Sequence, residues 1–316
     1  MGIEKEESHN KPSTDISELM SKVLEKGSDL AKELAVKGMN HIQQKKVQEV
    51  LEEFHKELDK PLKVAIVGGS GVGKSTLINS IFGTNLKTSS GGKGCTTEFE
   101  WITSEETIHV LDCPGIGDAT PENDEIYRKG YKEHLGGADL IIVVDQMGRN
   151  YSSMRDTIDS IPQDLRFIVV LTQADKLLNS KRIGKYWELD PYQPKDELRK
   201  EIESHREACS EAIEIASTKI LAVSSLVEED DDEPLHWGHS AVVEKLIQNA
   251  KSAIVKAQTV KKAKEENVSE KAKANAESGV IDWVMDKLGD VVEAVGDFAT
   301  KAAITKVVSW LARRWF

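Results

Sequence analysis

At 316 residues the chain is long enough for one large domain, or for a medium domain with a smaller one attached, and either can bury a sizeable core. Lys and Arg total 42 against 54 Asp and Glu, a formal net charge of −12, and a field of that sign repels phosphate backbones and disfavours nucleic acid as a main partner. Cys95, Cys113 and Cys209 have no paired spacing and no His-rich neighbour, which excludes a disulfide framework or zinc site and suits a reducing cytoplasm.

The opening "MGIEKEESHN" lacks the apolar core of a signal peptide, and no later stretch has the uninterrupted apolar length of a transmembrane helix. Gly2 invites acylation, but Glu6 stands where Ser or Thr is favoured. The expectation is a cytoplasmic protein, at most peripheral to a membrane. Residues 1–12 read as a disordered lead-in and 13–60 as an N-terminal helical arm. Ile16, Leu19, Val23, Leu30 and Leu34 form one side of a first helix, while Val47, Val50 or Leu51, Phe54 and Leu58 form one side of a second that Pro61 ends.

From Leu62 to about residue 258 the texture changes to short, continuous apolar runs: "LKVAIVGG", "TIHVLDCPG", "ADLIIVVD", "RFIVVLTQAD" and "KILAVSSL". Continuous runs are strands covered on both faces, which predicts an α/β fold with a mostly parallel sheet wrapped by helices. "TTEFEWIT" alternates and reads as an edge strand.

The first run leads into "GGSGVGKST", which matches GxxxxGK[ST] between a strand and the helix pattern "LINSIF". In such a loop the backbone N–H groups of Gly68, Gly69, Ser70, Gly71, Val72 and Gly73 can curl round phosphates at a helix N-terminus. Lys74 then neutralises β and γ charge, the Ser75 hydroxyl ligates Mg²⁺, and Thr76 follows in the first helical turn. Downstream, "TSSGGKGCTTEFE" is a Ser/Gly-rich loop in which Thr96 or Thr97, with Thr97 favoured, can reach Mg²⁺ when a γ-phosphate is present. In "LDCPGIGD" the Asp112 carboxylate can hold Mg²⁺ through water and the Gly115 N–H can meet the γ-phosphate.

"VVLTQADKL" reads either as a buried strand ending in a loop or as a device for reading a guanine base, and the residues alone leave both open. The acidic run "EEDDDE" reads as a solvated loop without calcium-binding spacing. "HSAVVEKLIQNAKSAIVKA" is expected as one closing helix, and residues 259–279, nearly free of large apolar residues, as a solvated charged helix or linker. Over 280–316, Val284, Leu288, Val291, Val295, Phe298 and Ala302 build one apolar stripe of an amphipathic helix. It either packs on the N-terminal arm or lays "SWLARRWF" into a membrane interface.

The phosphate loop, switch threonine, "DCPG", "TQAD" and "VSS" together resemble, in order, the GTP-binding boxes of the TRAFAC class of P-loop GTPases. "DCPGIGD" and "GGSGVGKST" look most like its Era/septin-like branch, and the flanking helical arms look like those of immunity-related or dynamin-like GTPases. The resemblance implies GTP and GDP with Mg²⁺ as ligands. By position, Asp175 would accept two N–H groups of guanine, Ser224 and Ser225 would line the guanine oxygen, and Thr172, Gln173 and Lys176 would complete the base site. Lys74, Thr97 and Gly115 would carry the γ-phosphate chemistry. Gln173 departs from the family's lysine, whose stem covers the base. Ile116 stands where Ras-like enzymes carry a water-orienting glutamine, and Gly71 where potassium-activated relatives carry asparagine. The implied activity is a slow GTPase acting as a nucleotide-dependent switch, accelerated by a partner, by self-association or by a residue that the motifs do not identify. A self-assembling GTPase at a membrane surface is the alternative, and an ATPase a third reading because the phosphate loop alone does not select the base.

Overall fold

The computed structural model describes residues 41–86, 99–104, 107–114, 121–179, 183–226, 235–289 and 305. The first predicted helix, Thr96, Thr97, Gly115, Ile116, the acidic run and the stripe residues Val291, Val295, Phe298 and Ala302 lie outside these residues.

Helix α1 (His41–Leu58) leads into β1 (Leu62–Val67), the phosphate loop and α2 (Lys74–Phe82). Strands β2 (Glu100–Ser104) and β3 (Ile108–Cys113), helix α3 (Pro121–His134), β4 (Leu140–Gln146), α4 (Ser152–Asp159) and β5 (Ile168–Thr172) follow. A short turn of helix, α5 (Ile183–Tyr186), precedes a small hairpin, β6 (Trp187–Leu189) and β7 (Tyr192–Pro194), before α6 (Asp196–Ile213) and β8 (Ile220–Ala222). A second hairpin, β9 (Ser224–Leu226) with β10 (Leu235–Trp237), precedes α7 (His239–Asn249), α8 (Ala253–Lys262) and α9 (Glu270–Lys287).

The main sheet has six strands in the order β2-β3-β1-β4-β5-β8. Only the edge strand β2 runs antiparallel, pairing Glu100 to Ser104 with Asp112 to Ile108. Every other neighbour is parallel, as the continuous apolar runs predict. Alternate residues of β1 go to opposite faces: Ala65 and Val67 join a core under α3, α4 and α6, while Val64 and Ile66 join one under α2, α7, α8 and α9. "KILAVSSL" is read as one run but divides into β8 and β9, because Val223 N–H bonds Leu171 O (2.9 Å) while the next residues leave the main sheet for the hairpin.

A third core joins α1 to the C-terminal helices. Val47, Val50, Leu51, Phe54 and Leu58 pack on Ala257, Val280, Val284 and Leu288, and Gln258 Nε2 donates to the carbonyls of Glu57 (2.8 Å) and Lys60 (3.0 Å) at the end of α1. Two sequence expectations are corrected here. The predicted closing helix is two helices, because the Ser252 side chain accepts from Val255 N–H and caps a new start at α8. The segment 259–279, expected as a solvated helix or linker, is largely helical but not solvated throughout: it holds the end of α8 and the first half of α9, which starts from the Ser269 cap and runs unbroken past residue 280. Ala272 and Ala276 are buried in it. Alanine removes little surface from water, so this face has weak hydrophobic periodicity, yet its small size lets α9 lie close on α8.

The turn between α8 and α9 reaches the end of α2. Lys264 N–H donates to Ile81 O (2.8 Å), and the buried Asn267 Nδ2 donates to Ser80 O (2.8 Å). His239, at the first turn of α7, is also buried, with Nε2 3.0 Å from Ser225 Oγ.

Phe54→Ala, which empties the centre of the third core, is expected to lower unfolding free energy by about 3 kcal/mol, measured by urea denaturation. Burial, reinforced by neighbouring His236, pushes the His239 pKa from 6.5 down to about 3. The folded state therefore resists protonation, so the stability this imidazole contributes is present above its unfolded pKa and is lost as pH falls from about 6.5 toward 3. Urea midpoints should show a loss of roughly 2 kcal/mol between pH 7 and pH 5 that shrinks in His239→Gln.

Candidate functional site

The site lies where β1, β3, β4 and β5 end, the position at which parallel sheets present their loops. A Cβ on Gly68 would stand 2.1 Å from Val144 O, so only glycine lets the phosphate loop leave β1 against β4. Gly73, at φ 93 in the left-handed region, caps α2 and turns the loop into the helix axis. The Lys74 ammonium folds back over this loop, donating to Gly68 O (3.0 Å) and Gly69 O (3.2 Å). It lies 3.6 Å from Asp112 Oδ1, which β3 places beside Ile66 of β1. Ser75 and Thr76 occupy the first turn of α2 and are half-buried.

Asp112 is followed by Cys113, a fully buried thiol that burial pushes far up and makes a poor nucleophile. The Tyr131 hydroxyl of α3 donates to Pro114 O (2.6 Å) and anchors the last described residue of the "DCPG" box. On the same helix, Phe99 lies across Gly130, stacks on His134 at 4.9 Å and meets Tyr131 edge-on at 5.8 Å. The end of the Ser/Gly-rich loop is thus packed on the helix that follows "DCPG".

The "TQAD" segment is tied to the phosphate loop residue by residue. The buried Thr172 hydroxyl donates to Val72 O and lies 3.2 Å from Asp145 O. Gln173 adopts φ 61, rare for a side-chain-bearing residue, and its Nε2 donates to Gly71 O at 3.1 Å. Asp175 is half-buried and Lys176 exposed. Across from them, the buried Ser224 donates from Oγ to Asp175 Oδ1 (2.9 Å), while Ser225 faces α2 through Ser80 (3.5 Å) and α7 through His239.

The structure therefore brings Gly68 to Thr76, Asp112, Thr172, Gln173, Asp175 and Ser224 round one loop, with Ser225 just behind it and Lys176 at its outer edge. Thr97 and Gly115 lie outside the described residues. Sequence reasoning missed Tyr192, whose hydroxyl is 3.1 Å from Ser224 Oγ. The alternation in "WELDPYQP", with an Asp-Pro turn between its aromatics, is the signal that marks its hairpin.

A family profile described as 50S ribosome-binding GTPase matches residues 63–173. A probable GTP-binding protein EngB of Kosmotoga olearia is 34% identical over 147 residues, covering 42% of this chain and 75% of that protein. The EngB of Streptococcus thermophilus is 32% identical over 127 residues, covering 38% of this chain and 64% of that protein. The tRNA modification GTPase MnmE of Clostridioides difficile is 28% identical over 193 residues, covering 55% of this chain and 42% of that protein. The chain thus spans about two thirds to three quarters of the EngB relatives and less than half of MnmE.

Among solved structures, one described as an oligomerised bacterial dynamin pair covers 92% of this chain and 48% of its own at 15% identity and a TM-score of 0.42. The cytosolic domain of the T. maritima FeoB iron transporter in apo form covers 80% of this chain and 97% of its own at 17% identity and a TM-score of 0.34. Both are loose superpositions. With its phosphate loop, its six-stranded sheet and these sequence matches, the chain belongs to the P-loop GTPase family of GTP-binding proteins.

Proposed function

We propose that this chain is a nucleotide-dependent switch that binds GTP with Mg²⁺ and hydrolyses it slowly to GDP. The observation that carries the reading is the brace between base site and phosphate loop: Thr172 and Gln173 bond the loop backbone while Asp175 is held by Ser224. A carboxylate so held can accept the two N–H groups on one edge of guanine, where adenine offers a different pattern.

The loop N–H groups and Lys74 would hold the phosphates. The Ser75 hydroxyl and the Asp112 carboxylate are hard oxygen donors that suit Mg²⁺, and Asp112 lies within 3.6 Å of Lys74 Nζ, so cation and ammonium would address one triphosphate together. Bound Mg²⁺ neutralises phosphate charge. Thr97 and Gly115 are assigned to the γ-phosphate by position. The bonds from Lys264 and Asn267 to the end of α2 give the helical arm a mechanical link to the phosphate loop.

Ile116 supplies no water-orienting group, so basal turnover is slow and the accelerating group comes from a protein partner, a second copy or a residue elsewhere in the chain. On "DCPGIGD" we place the chain in the Era/septin-like branch, and on its three widely spaced cysteines in the cytoplasm. The matched profile is described by ribosome binding, but a net charge of −12 opposes a phosphate backbone, and ribosome binding is left out of this reading.

Titration calorimetry with Mg²⁺ should find GTP bound more tightly than ATP. Asp175→Asn should weaken GTP roughly 10- to 100-fold, the worth of a charge-assisted hydrogen-bond pair, and leave ATP unchanged. Equal affinities for the two nucleotides, unmoved by Asp175→Asn, would overturn the guanine assignment. Lys74→Ala should abolish detectable binding of both. GTP turnover per molecule should rise with protein concentration if a second copy supplies the missing group, and stay flat if a different partner does.

A further inference from the structure

The β6–β7 hairpin interrupts the path from the base-reading turn to α6 and places one polar atom at the base site. Tyr192 Oη is 3.1 Å from Ser224 Oγ, and Ser224 Oγ donates to Asp175 Oδ1 at 2.9 Å. A serine hydroxyl has one hydrogen. Because Ser224 gives its hydrogen to the carboxylate, Tyr192 is the donor in the first bond, and the chain of protons runs in one direction toward Asp175.

The tyrosine ring is itself held. It stacks on Trp187 at 4.5 Å and 13°, and Trp187, 1% exposed, meets Trp237 of β10 edge-to-face at 5.8 Å and 72°. The two hairpins, packed on each other through Trp187 and Trp237, thus fix the position of a single hydroxyl. A hydrogen bond received by Ser224 polarises the one it gives, and it stops the serine rotor from turning its proton elsewhere. Asp175 is then held through Oδ1, and its carboxylate has less rotational freedom before any nucleotide arrives.

We propose that Tyr192 is a positioning residue for guanine recognition, acting through Ser224 on Asp175 and raising discrimination for a base that offers two N–H donors. The inference rests on the base-reading role given to Asp175. Tyr192 touches no nucleotide in this scheme. It sharpens selectivity by reducing the freedom of the carboxylate that does.

The test is binding of GDP and inosine diphosphate, which lacks the exocyclic amine, to the full chain and to Tyr192→Phe. That substitution keeps the ring and its stacking and removes only the donor. GDP affinity should fall roughly 3- to 10-fold, the range of one neutral hydrogen bond, and inosine diphosphate affinity should fall less, so the ratio of the two is compressed. In an Asp175→Asn background the same change should have no further effect. An unaltered GDP affinity in Tyr192→Phe, or an equal loss for both nucleotides, overturns the proposal while leaving the guanine assignment standing. A GDP-to-ADP preference unmoved by Asp175→Asn removes the assignment and the proposal together.

Discussion

The carbonyl of Val144 occupies the place where a side chain on residue 68 would begin, and the architecture of the nucleotide site follows from that contact. With no Cβ between them, β1 and β4 run side by side to their ends, paired Val67 to Val143, and the phosphate loop closes directly over the sheet. Any larger residue at 68 would push the loop outward and take Val72 out of reach of Thr172. The sheet thus supplies more than a platform: the spacing between its central strands sets the height of the loop.

Around that fixed point the site is built from bonds that cross between loops. The "TQAD" segment, the phosphate loop and the turn at Ser224 lie far apart in the chain, and the first is tied to the other two: Thr172 donates to Val72 O, Gln173 to Gly71 O, and Asp175 accepts from Ser224. This matters energetically because the strand ends are buried and water cannot substitute for a missing partner at Thr172 or Ser224. It matters functionally because a preorganised polar site loses less free energy on binding than one that must be assembled by its ligand.

Much of this was legible in the chain. The phosphate loop, the parallel strands and the edge strand are written in glycine spacing and apolar texture, which are local signals with direct structural causes. The alanine face of α9 was not legible, since Ala272 and Ala276 add almost nothing to a hydrophobic periodicity. Nor was the break before α8, although Ser252 is a recognisable cap once the helix is seen to stop. Tyr192 was invisible for a different reason. Its importance arises from where a hairpin folds back, and nothing in its immediate neighbours points to Ser224.

The bond from Asn267 to Ser80 spans 187 residues, and together with Lys264 it closes the C-terminal end of the phosphate-loop helix. On a ribosome that helix emerges long before the turn that caps it. While the middle of the chain is being made, the carbonyls at that end of α2 are left to water. The nucleotide site of the nascent chain therefore has its sheet before it has its final brace, and the last third of the protein completes a structure begun in the first.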